Sequence, residues 1–283
     1  MVADLKGLLD PAVTRRLVVK VGSALLVESG AAREDWLASL IADIADLRAK
    51  GLEVIIVSSG AIALGAARLG LPRGGRASLA DAQAAASVGQ VALAQLWASA
   101  LEAHSLTAAQ MLVTLGDLED RRRYLNASAT LDRLIEAGAV PVVNENDSVA
   151  TEEIRFGDND RLAARVAQAA SADGVLLLSD VAGLYDRDPS EPNAALVERV
   201  EGVTPEVIAM AGSGSGSGLG SGGMLAKLQA ARIAERAGVT LGIIDGRSDN
   251  PLTRLSETGI GSVFCPVRTE TARKAWLGGR LVI

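Results

Sequence analysis

Short apolar runs that recur between helical patterns constrain this chain more than any other feature. Leu17-Val18-Val19-Lys20-Val21, Val54-Ile55-Ile56-Val57, Val140-Pro141-Val142-Val143, Val175-Leu176-Leu177-Leu178 and Val239-Thr240-Leu241-Gly242-Ile243-Ile244 each read as a strand. The runs at 53–58 and 174–179 suit burial on both faces, as parallel strands require. Between them lie helical patterns. At 34–49, Leu37, Leu40, Ile41, Ile44 and Leu47 fall on one face, and Gly51 caps the end. Further helices are expected at 79–103, 124–137, 160–170 and from Met224 onward. A strand at 106–112, a short helix at 251–255, a strand at 262–265, a helix at 270–277 and an edge strand at 280–283 complete the pattern. Such alternation predicts an α/β domain, a parallel sheet with helices on both faces. No linker divides the 283 residues convincingly and no repeat is evident. A nucleotide half is expected C-terminal to about residue 172.

The polar residues gather where the strands end. Asn144, Glu145, Asn146 and Asp147 follow the run at 140–143 at once, and Gly157-Asp158-Asn159-Asp160 opens the next helix. In open α/β sheets that edge is where ligands bind. Asn and Asp are also ordinary turn formers and caps, but two clusters flanking one strand-to-helix connection favour a site. The strand at 53–58 ends in Ser58-Ser59-Gly60-Ala61, a turn into a helix that offers N–H groups and a hydroxyl to an anion. Ser179-Asp180 ends another strand. Residues 212–223 are a Gly/Ser tract running into Met224-Leu225-Ala226-Lys227. It reads either as a flexible linker or as an anion cradle at a helix N-terminus. Lys20 interrupts an apolar run. An ammonium in a dry core is costly, so Lys20 either emerges at the strand end or snorkels outward from an edge strand.

Composition removes several function classes. Aromatic residues make up only 2% of the chain, which argues against base-stacking recognition of single-stranded nucleic acid. The net charge of −6 argues against a basic nucleic-acid surface but leaves small anions open. One cysteine, Cys265, excludes an internal disulfide and fits a reducing compartment. One histidine, His104, reads as a polar helix-end residue and leaves neither a His/Cys zinc set nor a Ser-His-Asp triad. The N-terminus carries no long apolar stretch of signal-peptide type. The uncharged run at 82–101 is long enough to span a membrane, but it carries Gln83, Ser87, Gln90, Gln95 and Ser99 and is mostly alanine, so a buried or half-buried helix is expected. The expectation is a cytoplasmic protein with no nucleic-acid or membrane partner.

Two lysines, Lys20 and Lys227, with Gly-rich turns at strand ends suit a polyphosphate. Phosphoryl transfer needs positive charge and N–H donors around oxygens that stay negative throughout. The G-x-x-x-x-G-K-[ST] loop is absent, since Ala226 precedes Lys227. Gly218-x-Gly220-x-x-Gly223, with Asp245 about 20 residues on, formally matches the dinucleotide fingerprint of an NAD-binding oxidoreductase. No strand precedes Gly218, however, and the chain after Asp245 is short for that fold. A non-catalytic amino-acid sensor is a third reading, against which both lysines and Asp160 stand.

Taken together, V-V-K-V-G-S at 18–23, V-S-S-G-A-I-A-L-G at 57–65, Q-M-L at 110–112, Y-L-N-A at 124–127, N-E-N-D-S-V-A at 144–150, G-D-N-D at 157–160, L-S-D-V-A-G-L-Y at 178–185, G-S-G-G-M-L-A-K-L-Q-A-A at 220–231 and R-K-A-W at 273–276 resemble the glutamate 5-kinases of the amino acid kinase superfamily. The resemblance implies an αβα sandwich around an eight-stranded, mostly parallel sheet, with a glutamate-binding part at about 1–172 and an ATP-binding part at about 173–283. It implies ATP, Mg²⁺ and L-glutamate, with γ-glutamyl phosphate as product, the first step of proline synthesis. Related kinases act on other small carboxylates or on carbamate. By the same likeness Ser59, Asp147 and Asn159 hold glutamate. Lys20, Ser179, Asp180 and the loop Ser221, Gly222, Gly223, Met224, Leu225, Ala226, Lys227 hold ATP. Lys20 and Lys227 neutralise the migrating phosphoryl group, and Asp160 orients both. The family usually has Thr where this chain has Ser221, which keeps the hydroxyl. Many members carry a C-terminal PUA domain, associated with RNA binding; this chain ends at Ile283, near where that domain would begin, so a kinase domain alone is expected. Inhibition by L-proline and a homo-oligomer, dimer or tetramer, are further implications.

Overall fold

The computed structural model describes residues 2–149, 158–212 and 223–267. Its strands are β1 (Arg16–Val21), β2 (Val27–Glu28), β3 (Ala31–Ala32), β4 (Glu53–Ser58), β5 (Ala108–Val113), β6 (Val140–Glu145), β7 (Gly174–Ser179), β8 (Arg199–Glu201), β9 (Thr240–Asp245) and β10 (Ser262–Cys265). Its helices are α1 (Ser23–Leu26), α2 (Glu34–Ala49), α3 (Ala61–Leu69), α4 (Leu79–Glu102), α5 (Leu115–Glu119), α6 (Arg121–Glu136), α7 (Asp158–Ala169), α8 (Pro205–Gly212), α9 (Met224–Ala237) and α10 (Pro251–Thr258). Eight strands form one sheet in the order β5-β6-β4-β1-β7-β9-β10-β8. Every pairing in it is parallel except that of β9 with β10. β2 and β3 make a separate hairpin.

The period of two along each strand sorts side chains into two cores. Leu17, Val19, Val21, Val54 and Ile56 pack with α2, α3, α4 and α10 on one face. Val18, Ile55, Val57, Val143 and Leu177 pack with α6, α7 and α9 on the other. This is the αβα sandwich the motifs imply. α4 is the run whose length and apolar character would also suit a membrane span. Here its Ala85, Gly89, Leu93, Trp97 and Leu101 turn inward. A Cβ on Gly65 would fall 1.8 Å from the Ala85 carbonyl, and one on Gly89 would fall 1.7 Å from that of Ala61, so α3 and α4 touch backbone to backbone.

Three expectations change. β1 lies between β4 and β7, so Lys20 does not snorkel from an edge strand. α7 begins at Asp158, which moves Asn159 and Asp160 from a loop into the first helical turn. α10 extends to Thr258. β8 and α8 are not among the elements expected; β8 is three residues with one buried apolar side chain, Val200, while α8 does carry Val207, Ile208, Met210 and Ala211 at helical spacing against the core. The helix at 270–277, the strand at 280–283 and most of the Gly/Ser tract lie outside the described residues.

Candidate active site

Because β6, β4, β1, β7 and β9 run parallel, their C-terminal ends share one edge. Register places Val21 beside Ser58 and beside Leu178, and Ser179 beside Asp245. The turns that follow therefore meet: Gly22 after β1, Ser59 and Gly60 after β4, the Asn/Asp cluster after β6, and Ser179-Asp180 at the end of β7. Gly60 takes φ +114, a left-handed value that favours glycine, and this lets α3 start directly behind Ser59. Trp97 of α4 fixes the turn from below by donating its indole N–H to Ser58 Oγ at 2.8 Å.

On the α7/α9 face, one carboxylate stands between two ammonium groups. Lys20 Nζ lies 2.6 Å from Asp160 Oδ1, and Lys227 Nζ lies 3.4 Å from Oδ2. All three residues are buried, Asp160 completely. Burial alone would raise the Asp160 carboxyl, but Lys20 and Lys227 outweigh it and hold it below the usual carboxylate range. Burial pushes the Lys227 ammonium below the usual lysine range; Asp160 and Asp180 oppose this, and Lys20 adds to it. Two buried ammonium groups thus share one buried carboxylate, with the exposed Asp180 acting on Lys227 as well.

Across the same edge, Asn159 Nδ2 donates to Ser59 Oγ at 2.7 Å. Asp147 is half-buried and lines a cavity of about 340 Å³ with Ser87, Gln90, Gln110, Asn146 and Ser148. Arg76 faces Asp147. Burial lowers its guanidinium pKa and the Asp147 charge opposes that shift. Asn144 is buried and donates from Nδ2 to Gln90 Oε1 at 2.8 Å. Arg76 and Gln90 were not anticipated. Arg76 follows a Gly-rich turn that carries no motif, while Gln90 is one polar position on an alanine-rich helix, a signal visible only once α4 is docked.

Ser179 donates to Asp180 Oδ1 at 3.2 Å. Gly223 precedes α9, with Met224, Leu225, Ala226 and Lys227 forming its first turn, so the N–H groups there face the same edge as Lys227. Ser221 and Gly222 lie outside the described residues, as do Gly218 and Gly220 of the dinucleotide pattern. Asp245, the acidic member of that pattern, is held by Arg247 through Nε at 2.9 Å and Nη2 at 2.6 Å.

The model of the amino acid kinase family matches residues 15–245. This chain belongs to the amino acid kinase family. Within the family it is similar to curated glutamate 5-kinases. It is 64% identical to that of Novosphingobium aromaticivorans, covering 99% of this chain and 74% of the relative. Against that of Sphingopyxis alaskensis the identity is 63%, over 97% of this chain and 74% of the relative. Against that of Zymomonas mobilis it is 59%, over 94% and 68%. Among solved structures, the carbamate kinase of Giardia lamblia bound to AMP-PNP superposes with a TM-score of 0.63 at 12% identity, covering 89% of this chain and 98% of that one. That likeness shows that an amino acid kinase sheet is kept when little sequence is.

Proposed function

We propose that this chain transfers the γ-phosphoryl group of ATP to the side-chain carboxylate of L-glutamate, giving L-glutamyl 5-phosphate and ADP, the first step of proline synthesis. Asp160 between two buried lysines is the observation that carries the reading. A glutamate γ-carboxylate is already ionised at neutral pH, so its oxygen attacks phosphorus without losing a proton. The bond from phosphorus to the β,γ-bridging oxygen breaks, and its electron pair leaves on ADP. No general base is needed, which suits a chain whose one histidine, His104, is exposed at the far end of α4. What the protein must supply is positive charge and position.

Lys20 and Lys227 supply the charge on either side of the transferring group, and Asp160 holds both ammonium groups in place. Asp147 takes the substrate's α-ammonium, and Ser59 and Asn159 hold its polar groups beside it. Ser179, Asp180 and residues 221–227 hold ATP. The donor set fits the nucleotide: two buried ammonium groups beside helix N–H groups suit a polyphosphate. Mg²⁺ would accompany ATP, held chiefly by phosphate and water as is usual for this ion, and would spread the phosphate charge. Residues 1–172 thus form the glutamate part and 173–283 the ATP part. L-proline shares glutamate's α-groups and lacks the carboxylate to phosphorylate, so it inhibits in competition with glutamate. On the same reading the protein works in the cytoplasm as a dimer or tetramer, which sedimentation measures.

With MgATP, L-glutamate and hydroxylamine, the protein is expected to form γ-glutamyl hydroxamate. Turnover of N-acetylglutamate or aspartate without glutamate would keep the fold and sink the substrate. NADH binding without ATP binding would overturn the kinase reading.

A further inference from the structure

Asn144 presents a problem that the roles above leave unsolved. It ends the apolar part of β6, with Val143 turned to the α7 core and Asn144 to the α4 side, and it is 2% exposed. Its Nδ2 is satisfied by Gln90 Oε1 at 2.8 Å. Its Oδ1 is buried with no hydrogen-bond partner among the described residues. Leaving a buried carbonyl oxygen unpaired is costly, and such groups call for an explanation.

The surroundings provide one. Gln90 lines the cavity of about 340 Å³ that also contains Asp147. It equally lines an adjoining cavity of about 170 Å³ whose wall includes Asn144, Trp97 and Val142. Gln90 therefore sits where these two spaces meet, and Asn144, three residues before Asp147, lines the smaller of them. An ammonium group has three donors, and Asp147 alone does not use them all. A carboxamide has two orientations that differ by a half-turn. One offers Oδ1 to a cation; the other offers an NH₂ group, which repels it. The orientation in the structure is the one in which Gln90 takes the amide hydrogen.

We propose that Gln90 is a positioning residue for the amino-acid substrate: by accepting from Asn144 Nδ2 it turns Asn144 Oδ1 toward the substrate's α-ammonium, beside Asp147. This deepens, and rests on, the reading of the site as one for glutamate. Gln90 itself touches no reacting atom. It selects for an α-ammonium, and hence for an amino acid over a plain dicarboxylate, by fixing which end of a neighbouring amide faces the ligand.

The test compares Gln90→Leu, which has no acceptor, with Gln90→Glu, which keeps one. Glutamate KM, ATP KM and kcat are measured for each, together with the inhibition constant of glutarate, which is glutamate without the α-ammonium. Gln90→Leu should raise glutamate KM about tenfold, the loss of one hydrogen bond to a charged group. It should leave kcat, ATP KM and glutarate inhibition unchanged, and Gln90→Glu should restore most of the glutamate KM. The proposal is overturned if Gln90→Leu leaves glutamate KM unchanged, if the Leu and Glu variants behave alike, or if glutarate weakens as much as glutamate. Should Gln90→Leu fail to fold, Gln90→Met takes its place; if that also fails, the contact is only a lock between α4 and β6 and the proposal falls. A wild-type protein that makes no γ-glutamyl hydroxamate would sink the glutamate reading itself. A working wild type with an indifferent Gln90→Leu sinks this inference alone.

Discussion

β1 carries two buried cations four residues apart, and they teach different things. Arg16, at the N-terminal end, meets Glu53 at 2.8 Å and Asp132 at 2.8 Å, and also donates to the Ala170 carbonyl. Both carboxylates reach partly into water, with side chains 32% and 49% exposed. Lys20, at the C-terminal end, shares one fully buried carboxylate with Lys227. In the first cluster one base meets two acids, and the Arg48 charge also acts on Glu53. In the second, two bases share one buried acid, with Asp180 acting on Lys227 as well, and on the proposed reading an anion from outside joins them. On that reading charge balance separates a cluster that holds the fold from one that takes a substrate, although both look alike as sets of ion pairs.

Replacing each cation by methionine is the strongest way to break this contrast. Lys227→Met leaves Lys20 and Asp160 as a balanced pair. It should lower kcat by about 10²-fold or more, because it removes charge that acts on the transition state. The melting temperature should hold or rise, since one of the two buried ammonium groups sharing that carboxylate is gone. Lys20→Met should give a similar loss of kcat. Arg16→Met should do the reverse. It leaves Glu53 and Asp132 without the cation they share, and should cost roughly 2–4 kcal/mol, less than a fully buried pair would lose because both acids reach water and Arg48 still acts on Glu53. kcat per folded molecule should stay within about twofold. If Lys227→Met destabilised the fold as Arg16→Met does, the lysine cluster would be structural and the contrast empty.

How far the sequence alone reveals these two clusters differs for a physical reason. Periodicity locates the strands, and parallel order delivers the ends of β1, β4, β6 and β7 to one edge, so the turns at Ser59, at the Asn/Asp cluster and at Ser179 read from the sequence as one region; Lys20 read equally as an edge-strand lysine, and the tract before Lys227 equally as a linker. What brings Asp160 between the lysines is the phase of α7, and that depends on the helix starting at Asp158 rather than after Asp160. Arg16 gave no signal, because its partners Glu53 and Asp132 come from a neighbouring strand and a distant helix whose faces no local pattern fixes. Gln90 was hidden in the same way. Side chains that meet through the docking of one element on another leave no spacing in the sequence.

A smaller effect separates the substrate's own ammonium from the lysine charges. Asp147→Ala should raise glutamate KM about tenfold while kcat at saturation changes little, because the interaction is made equally in ground and transition states. Inhibition by proline should be competitive with glutamate, not with ATP, and should weaken in the same variant. An unchanged glutamate KM in Asp147→Ala would remove that residue from the substrate site and leave Arg76, which faces it, as a purely structural partner.

The smallest effect is one of sign, and it sharpens the contrast without altering Asp160. Burial lowers the Lys227 pKa relative to an ordinary lysine at about 10.4. Between its folded and unfolded values, Lys227 binds fewer protons in the folded state than in the unfolded one. Its contribution to unfolding free energy therefore rises with pH across that window: the penalty of a charged buried lysine is fully present below the folded pKa and is relieved above it. Activity should move the other way, because the deprotonated amine no longer balances phosphate charge. kcat/KM for ATP should fall with pH from below the ordinary lysine range. Over the same range wild-type stability, minus that of Lys227→Met, should rise. Arg16, a guanidinium that stays charged throughout, should contribute no such slope. Thermal melts of wild type and both methionine variants, alongside the pH profile of kcat/KM, measure this. If activity and the stability difference fell together on the alkaline side, the second ammonium group beside Asp160 would be stabilising the free protein, and the role of this cluster as a site kept open for an anion would be wrong.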